Sequence, residues 1–241
     1  MMSTLKKTYI TLAITVITVF LGASTATATY KTDVVSDMAL IYPGGNHRPE
    51  WTEDELRPYV VHTFADGRME WFFDSFLFFE FTDSWQIAFG SSYGTRNAQR
   101  SDWEWLLNRV FEKGKSLDAL NSCIEHYKTI IGEPSFKHRI VLGVVSPITG
   151  QTDWGSLDGK TLDFTNRDDQ ITAAKWYIDQ LMERFAEGAY NNLELTGFYW
   201  LEVQPSAEIC LKMSANTFIN WTNASIGFHI GMHPDITYGK N

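Results

Sequence analysis

The sequence predicts an α/β protein with parallel strands covered by helices, in a TIM-barrel-like (β/α) arrangement that is incomplete, with about the first four βα units. Three observations predict it. Apolar runs of strand length alternate with segments of helical period. The runs are separated by crossover-length stretches, which parallel neighbours require. The runs also end in loops rich in Trp, His and acids, where barrels of this kind keep their sites. The turn Pro43-Gly44-Gly45 does not open a helix, so a dinucleotide-binding sheet is the weaker option.

Each element has its own signal. Residues 37–43 are a short apolar run closed by the Pro43-Gly44-Gly45 turn, and read as a buried first strand. Thr52 precedes Glu53, Asp54 and Glu55, a cap followed by acids that suit the positive end of a helix. That helix is expected to reach about Phe64, with Asp66-Gly67 ending it and Pro58 weakening its first half. Residues 71–81 are dense in aromatics without a helical stripe, and read as a fully buried second strand.

Ser101-Asp102 is expected to cap a helix that runs to Phe111, and a second helix covers 117–131 until Gly132-Glu133-Pro134 stops it. Residues 139–145 read as the third strand, ended by Ser146-Pro147, with a polar loop from 148 to 164. Asn166 caps a long amphipathic helix from Asp168 to about Ala189, apolar at Ile171, Ala174, Ile178, Leu181 and Phe185. Residues 193–201 read as the fourth strand.

The N-terminus predicts export. Lys6 and Lys7 precede an apolar run over 9–22, and a small-residue tract over 23–29 follows. The run is shorter than the ~20 residues that cross a bilayer, and Thr interrupts it. Residues 1–28 therefore read as a cleavable signal peptide, with the mature chain starting near Thr29 and no membrane association after cleavage. The remaining length of about 213 residues fits one domain with one sizeable core. Oligomeric state is not legible.

Composition excludes some partners. The net charge is −9 and no Lys/Arg run occurs, so nucleic acid, whose binding rests on phosphate contacts, is not expected. Cys123 and Cys210 are too few and too scattered for a disulfide framework; they read as unpaired thiols, with pairing in an oxidising compartment the alternative. No zinc-type spacing occurs, and His229 and His233 fall in an irregular tail, so neither metal nor cofactor is expected. The chain holds 9 Trp, 10 Tyr and 16 Phe. Most are expected in the core, with a minority available to stack on the C–H faces of sugar rings.

Three stretches carry a resemblance. Residues 37–43, 71–80 (WFFDSFLFFE) and 197–202 (GFYWLE) resemble the strand signatures of a bacterial family called domain of unknown function 4855. The resemblance covers roughly 36–202. It implies a TIM-barrel, glycoside-hydrolase-like and exported protein that acts on a polysaccharide or glycan. No characterised substrate comes with it.

Glycosidic hydrolysis needs two carboxyl groups, ~5–5.5 Å apart for retention and ~6.5–9.5 Å for inversion. Glu202 ends the fourth strand behind Trp200, where a neighbouring indole would desolvate its carboxyl and favour an acid role. The alternative is a solvated loop Glu. Glu80, near the end of the second strand, is either catalytic or a salt-bridge partner. Asp74, expected mid-strand, either points toward the site or is a structural strut. Asp153 reads mainly as a turn former. Trp154 and Trp200 are the expected sugar-stacking rings, and His47 and Arg48 are placed to hydrogen-bond sugar hydroxyls unless they form an exposed loop pair. Trp103 and Trp105 read as packing.

The competing reading is a non-catalytic carbohydrate-binding or surface protein. It requires exposed aromatics without paired acids. A third reading is a non-functional fragment of the enzyme.

After Glu202 the helical period decays, where the family continues with a helix and a Trp-Ile-Pro-Tyr strand. A neighbouring reading frame over 215–241 permits such a segment. The expectation is a frame shift between about Glu202 and Ala215, with 203–241 an irregular, out-of-frame tail. Sequencing the DNA beyond codon 202 should reveal the remaining strands in another frame; their absence there would end the idea.

Overall fold

The computed structural model describes residues 37–45, 47–91 and 93–200. Residues 1–28, Glu202, Cys210 and the stretch 203–241, on which several expectations fall, lie outside them.

The centre is a four-stranded parallel sheet. Its strands are β1 (Met38–Ile41), β4 (Ser75–Phe78), β8 (His138–Val144) and β11 (Leu193–Trp200), neighbours in chain order. Between β1 and β4 lie α1 (Glu53–Val60) and an antiparallel pair, β2 (Val61–Thr63) with β3 (Met69–Trp71). Three short strands follow β4: β5 (Thr82–Asp83), β6 (Ile87–Ala88) and β7 (Arg96–Asn97). Then come α2 (Arg100–Val110) and α3 (Ser116–Ile131), which return the chain to β8. A hairpin, β9 (Gly155–Leu157) with β10 (Lys160–Leu162), and α4 (Arg167–Glu187) connect β8 to β11.

The sheet has two unlike faces, because side chains alternate along a strand. Ala39, Ile41, Phe76, Phe78, Ile140, Leu142, Leu195 and Phe198 join one core with residues of all four helices, including Leu56, Leu107, Leu120 and Tyr177. All four described helices thus pack on one face. Residues of the other parity, Leu40, Leu77 and Val141, lie outside that core, and Leu40 is 41% exposed. Burying these helix-side apolar side chains stabilises the fold by ~1.5–3 kcal/mol for each fully buried large one.

Local signals explain the helix starts. At α1, the Glu55 carboxylate accepts from the Thr52 backbone N–H at 3.1 Å, a capping box. At α4, Asn166 accepts from the Asp168 N–H at 2.9 Å, as its sequence position suggested. The start of α2 differs from expectation. Gln99, not Ser101, is the N-cap, and Asp102 reaches back to the Gln99 N–H at 2.7 Å.

Two segments are corrected. The first helix stops at Val60 rather than near Phe64, because Val61–Thr63 pairs with Met69–Trp71. The aromatic run 71–81 is not one strand for the same reason. The N–H groups of Phe72 and Phe73 bond the carbonyls of Val60 and Tyr59, at 2.9 and 3.1 Å, and only 75–78 joins the parallel sheet. The expected polar loop 148–164 contains the β9–β10 hairpin, turned by Asp158-Gly159 with positive φ at both residues. Cys123 is buried in α3 with no disulfide partner among the described residues, and burial pushes its thiol up to about 12.

His138, at the start of β8, is fully buried among Trp71, Phe76 and Phe136, with ring centroids 5.5, 6.1 and 5.0 Å away. Among the described residues neither ring nitrogen has a hydrogen-bond partner. Burial lowers its pKa from 6.5 to about 4, against the opposing pull of Asp74. Between those values the unfolded chain binds a proton that the folded chain refuses. His138 thus costs no stability above pH 6.5 and progressively more as pH falls toward 4. The expected loss by pH 4 is roughly 3 kcal/mol relative to a His138→Phe variant. Urea unfolding of both proteins across this range checks it; parallel pH profiles would contradict it.

Candidate functional site

The C-terminal ends of β1 and β4 meet at one edge of the sheet, and a carboxylate joins them. Glu80 lies two residues beyond β4, its side chain fully buried. It accepts from Arg48 Nε at 3.0 Å and Arg48 Nη2 onto its other oxygen at 2.9 Å, a bidentate pair. It also accepts backbone N–H groups from Gly44 at 3.3 Å, Phe81 at 3.1 Å and Thr82 at 3.4 Å. A buried carboxylate needs this degree of satisfaction.

The loop after β1 is shaped to supply it. A Cβ on Gly44 would sit 2.9 Å from Glu80 Cγ, so only glycine admits the approach. Gly45 has φ +83, and a Cβ there would sit 2.7 Å from both Asp83 Oδ1 and His47 Nδ1. The indole N–H of Trp51 donates to the Tyr42 carbonyl at 2.7 Å and pins the other end of the loop.

Rings gather around this clamp. The Arg48 guanidinium lies 4.2 Å from the Tyr42 ring centroid and 5.6 Å from that of Phe81. Tyr42 contacts Phe79 and Phe81, at 5.4 and 5.6 Å, and Phe79 contacts Tyr199 at 5.2 Å. Tyr199 pairs in register with Gly143 and lies outside the helix-side core, on the face away from the helices, while Phe79, just past the end of β4, touches both Tyr199 and that core. Gly143 makes room for them: a Cβ there would sit 2.6 Å from Phe79 Cβ. Burial and the nearby Tyr93 hold the Tyr199 hydroxyl above its ordinary pKa. Outermost are Trp85, 62% exposed, and Tyr93, 44% exposed, both in ring contact with Phe81.

The expected site residues divide. His47, Arg48 and Glu80 do come together at this edge. Glu80 proves to be the salt-bridge partner, with no side-chain surface left for a substrate. Arg48 is committed to it, with 17% of its side chain exposed. His47 is exposed, and its Nδ1 accepts from the Ser84 N–H at 3.2 Å.

Asp74 is a strut at the opposite edge, not a mid-strand residue. It precedes β4, accepts from the Asp37 N–H at 3.2 Å and Ser75 Oγ at 2.7 Å, and faces Arg139 Nη1 at 3.4 Å. Six residues of near-extended chain separate it from Glu80, roughly 20 Å, too far for a glycosidic pair.

Trp154 is not a stacking ring. It is 1% exposed and packs against Trp103, Phe164 and Trp176 at 5.1, 5.4 and 6.0 Å. Trp200 is half-buried against the helix-side core. Asp153 accepts from Gln99 Nε2 at 3.2 Å at the surface. Glu202 lies outside the described residues.

Trp85, Tyr93 and Asp83 were missed because 82–99 carries no strand- or helix-length period. The available signal was Asp83-Ser84-Trp85, a turn-forming pair running into a large ring. Among the described residues no three His, Cys, Asp or Glu side chains converge to hold a metal ion, and no described helix is long and apolar enough to cross a membrane.

A family model described as domain of unknown function (DUF4855) matches residues 37–217, further than the Glu202 boundary read from the sequence. No curated protein and no solved structure matches the chain.

Proposed function

The chain belongs to the DUF4855 family, and we propose that it is an exported, glycoside-hydrolase-like protein acting on a polysaccharide or glycan. The observation that carries this reading is the sidedness of the sheet. Four parallel strands follow one another in chain order, all the described helices cover one face, and rings gather at the strands' C-terminal ends, with Tyr42 and Tyr199 outside the helix-side core and Phe79 bridging between them and it. A doubly wound sheet divides its helices between two faces. One-sided winding in sequential order supports a TIM-type barrel, in which strands enclose the helix-free face and sites open at that same end. The segment 1–28 supports export.

In this reading Tyr42, Phe79, Phe81 and Tyr199 line the mouth of the barrel, and the Glu80–Arg48 pair fixes its rim. Glu202, two residues beyond Trp200, is the candidate acid. A general acid would protonate the leaving glycosidic oxygen while a second carboxyl group acts from the other side of the sugar ring. Glu80 and Asp74 are both engaged elsewhere. Their engagement favours a second reading, carbohydrate binding without hydrolysis.

The test is incubation of the purified full chain with a panel of soluble and insoluble polysaccharides, measuring both reducing ends released and protein bound. Hydrolysis predicts release from at least one polysaccharide, reduced about 100-fold or more by Glu202→Gln. Binding without release selects the second reading. Neither binding nor release contradicts both.

A further inference from the structure

Resting on the carbohydrate reading, we infer that the turn Asp83–Gln86 is a glycan-stacking platform, on which Trp85 presents its ring to a neutral hexose while His47 and Asp83 hydrogen-bond the hydroxyls at its edge.

The first observation is a mismatch between residue and backbone. The Gln86 N–H donates to the Asp83 carbonyl at 2.9 Å, closing a turn whose central residues, Ser84 and Trp85, have φ of 50° and 64°. Two positive φ values mark a type I′ turn, which favours Asn-Gly or Asp-Gly. This chain uses that solution elsewhere: Asp158 and Gly159, with φ of 49° and 79°, turn β9 into β10. A bulky residue at positive φ is an outlier that the surroundings must enforce. At Trp85 they enforce it without burying the ring, which stays 62% exposed. Ring contacts with Phe81 and His47 leave most of the indole in solvent, so burial does not account for the placement, whereas presentation does.

The second observation is rigidity. The Gln86 carbonyl accepts from the Thr95 N–H at 2.9 Å, the Arg96 N–H at 3.0 Å and Thr95 Oγ1 at 3.1 Å. Gly94 lies so close that a Cβ would meet the Gln86 carbonyl oxygen at 2.7 Å. On the other side, the Ser84 N–H donates to His47 Nδ1 and Ser84 Oγ to Asp83 Oδ1 at 3.0 Å. A turn whose backbone is fixed in advance loses little freedom when the ring it carries is bound.

The third observation is chemical. Because Nδ1 accepts a hydrogen bond, the neutral His47 ring carries its proton on Nε2, as a donor, with its centroid 5.9 Å from that of Trp85. Asp83 supplies a carboxylate acceptor beside it. A flat ring flanked by one donor and one acceptor fits a sugar, with its C–H face on the indole and its hydroxyls at the sides.

Charge selects the sugar. Arg48 is spent on Glu80, and Arg96 pairs bidentately with Asp102 at 2.7 and 2.9 Å. The chain carries −9. Uronic or sulfated sugars are disfavoured against neutral hexoses.

The test uses the full chain and four probes: cellohexaose, mannohexaose, galactohexaose and polygalacturonate. Ser84→Asn/Trp85→Gly installs the preferred type I′ pair, so the double variant should melt at the same temperature or higher. It should bind whichever neutral hexaose the wild type binds at least about tenfold more weakly. Unchanged affinity, a lower melting temperature or a preference for polygalacturonate overturns the inference alone. So does loss of self-association in sedimentation with glycan affinity intact, which would make the patch a contact between copies. Wild type that binds none of the probes, nor any member of the polysaccharide panel, overturns the carbohydrate reading with it.

Discussion

The geometry of the sheet's C-terminal edge depends on the burial of one charge. Glu80 accepts five hydrogen bonds inside protein, and an unpaired carboxylate there would cost several kcal/mol. That requirement propagates outward. It draws in Arg48, forbids a side chain at Gly44, and brings Gly45 against Asp83 and His47. His47 in turn holds Ser84, and so the turn that carries Trp85. A residue with the chemistry of a catalytic acid serves instead as the anchor of the surface around it.

The second constraint is parity. Because side chains alternate along each strand, the helices take one set, and Leu40, Leu77, Val141 and Tyr199 are left on the other. Gly143 opens a gap in that second set which Phe79 fills. The rings at the edge therefore arise from the strand pattern itself, and the loops add only Trp85, Tyr93 and the polar groups. Rigid strands carry the inner rings, and a hydrogen-bonded turn carries the outer one.

Much of the fold was legible in the sequence. Strand runs at 139–145 and 193–201, and the helix capped by Asn166, stand close to where period and caps put them. The parallel sheet followed from crossover-length spacing. Illegible were short elements whose pairing is tertiary, such as β2–β3, which split the aromatic run after Trp71. Asp158-Gly159 was a hairpin signal passed over in a polar stretch. At the site, the sequence located His47, Arg48 and Glu80 but not their mutual engagement, since residue type cannot tell a free carboxylate from a clamped one. Trp154 is buried and Trp85 exposed, because an indole's burial is decided by neighbours such as Trp103 and Phe164, distant in sequence.

The most direct measurement is a double-mutant cycle between Arg48 and Glu80. Urea unfolding of the wild type, Glu80→Gln, Arg48→Met and the double variant gives their coupling energy. A structural clamp predicts a coupling of about 2 kcal/mol or more, since either single change leaves a buried partner unsatisfied. A coupling below about 0.5 kcal/mol, the range of an exposed pair, would contradict the claim that this buried charge builds the edge.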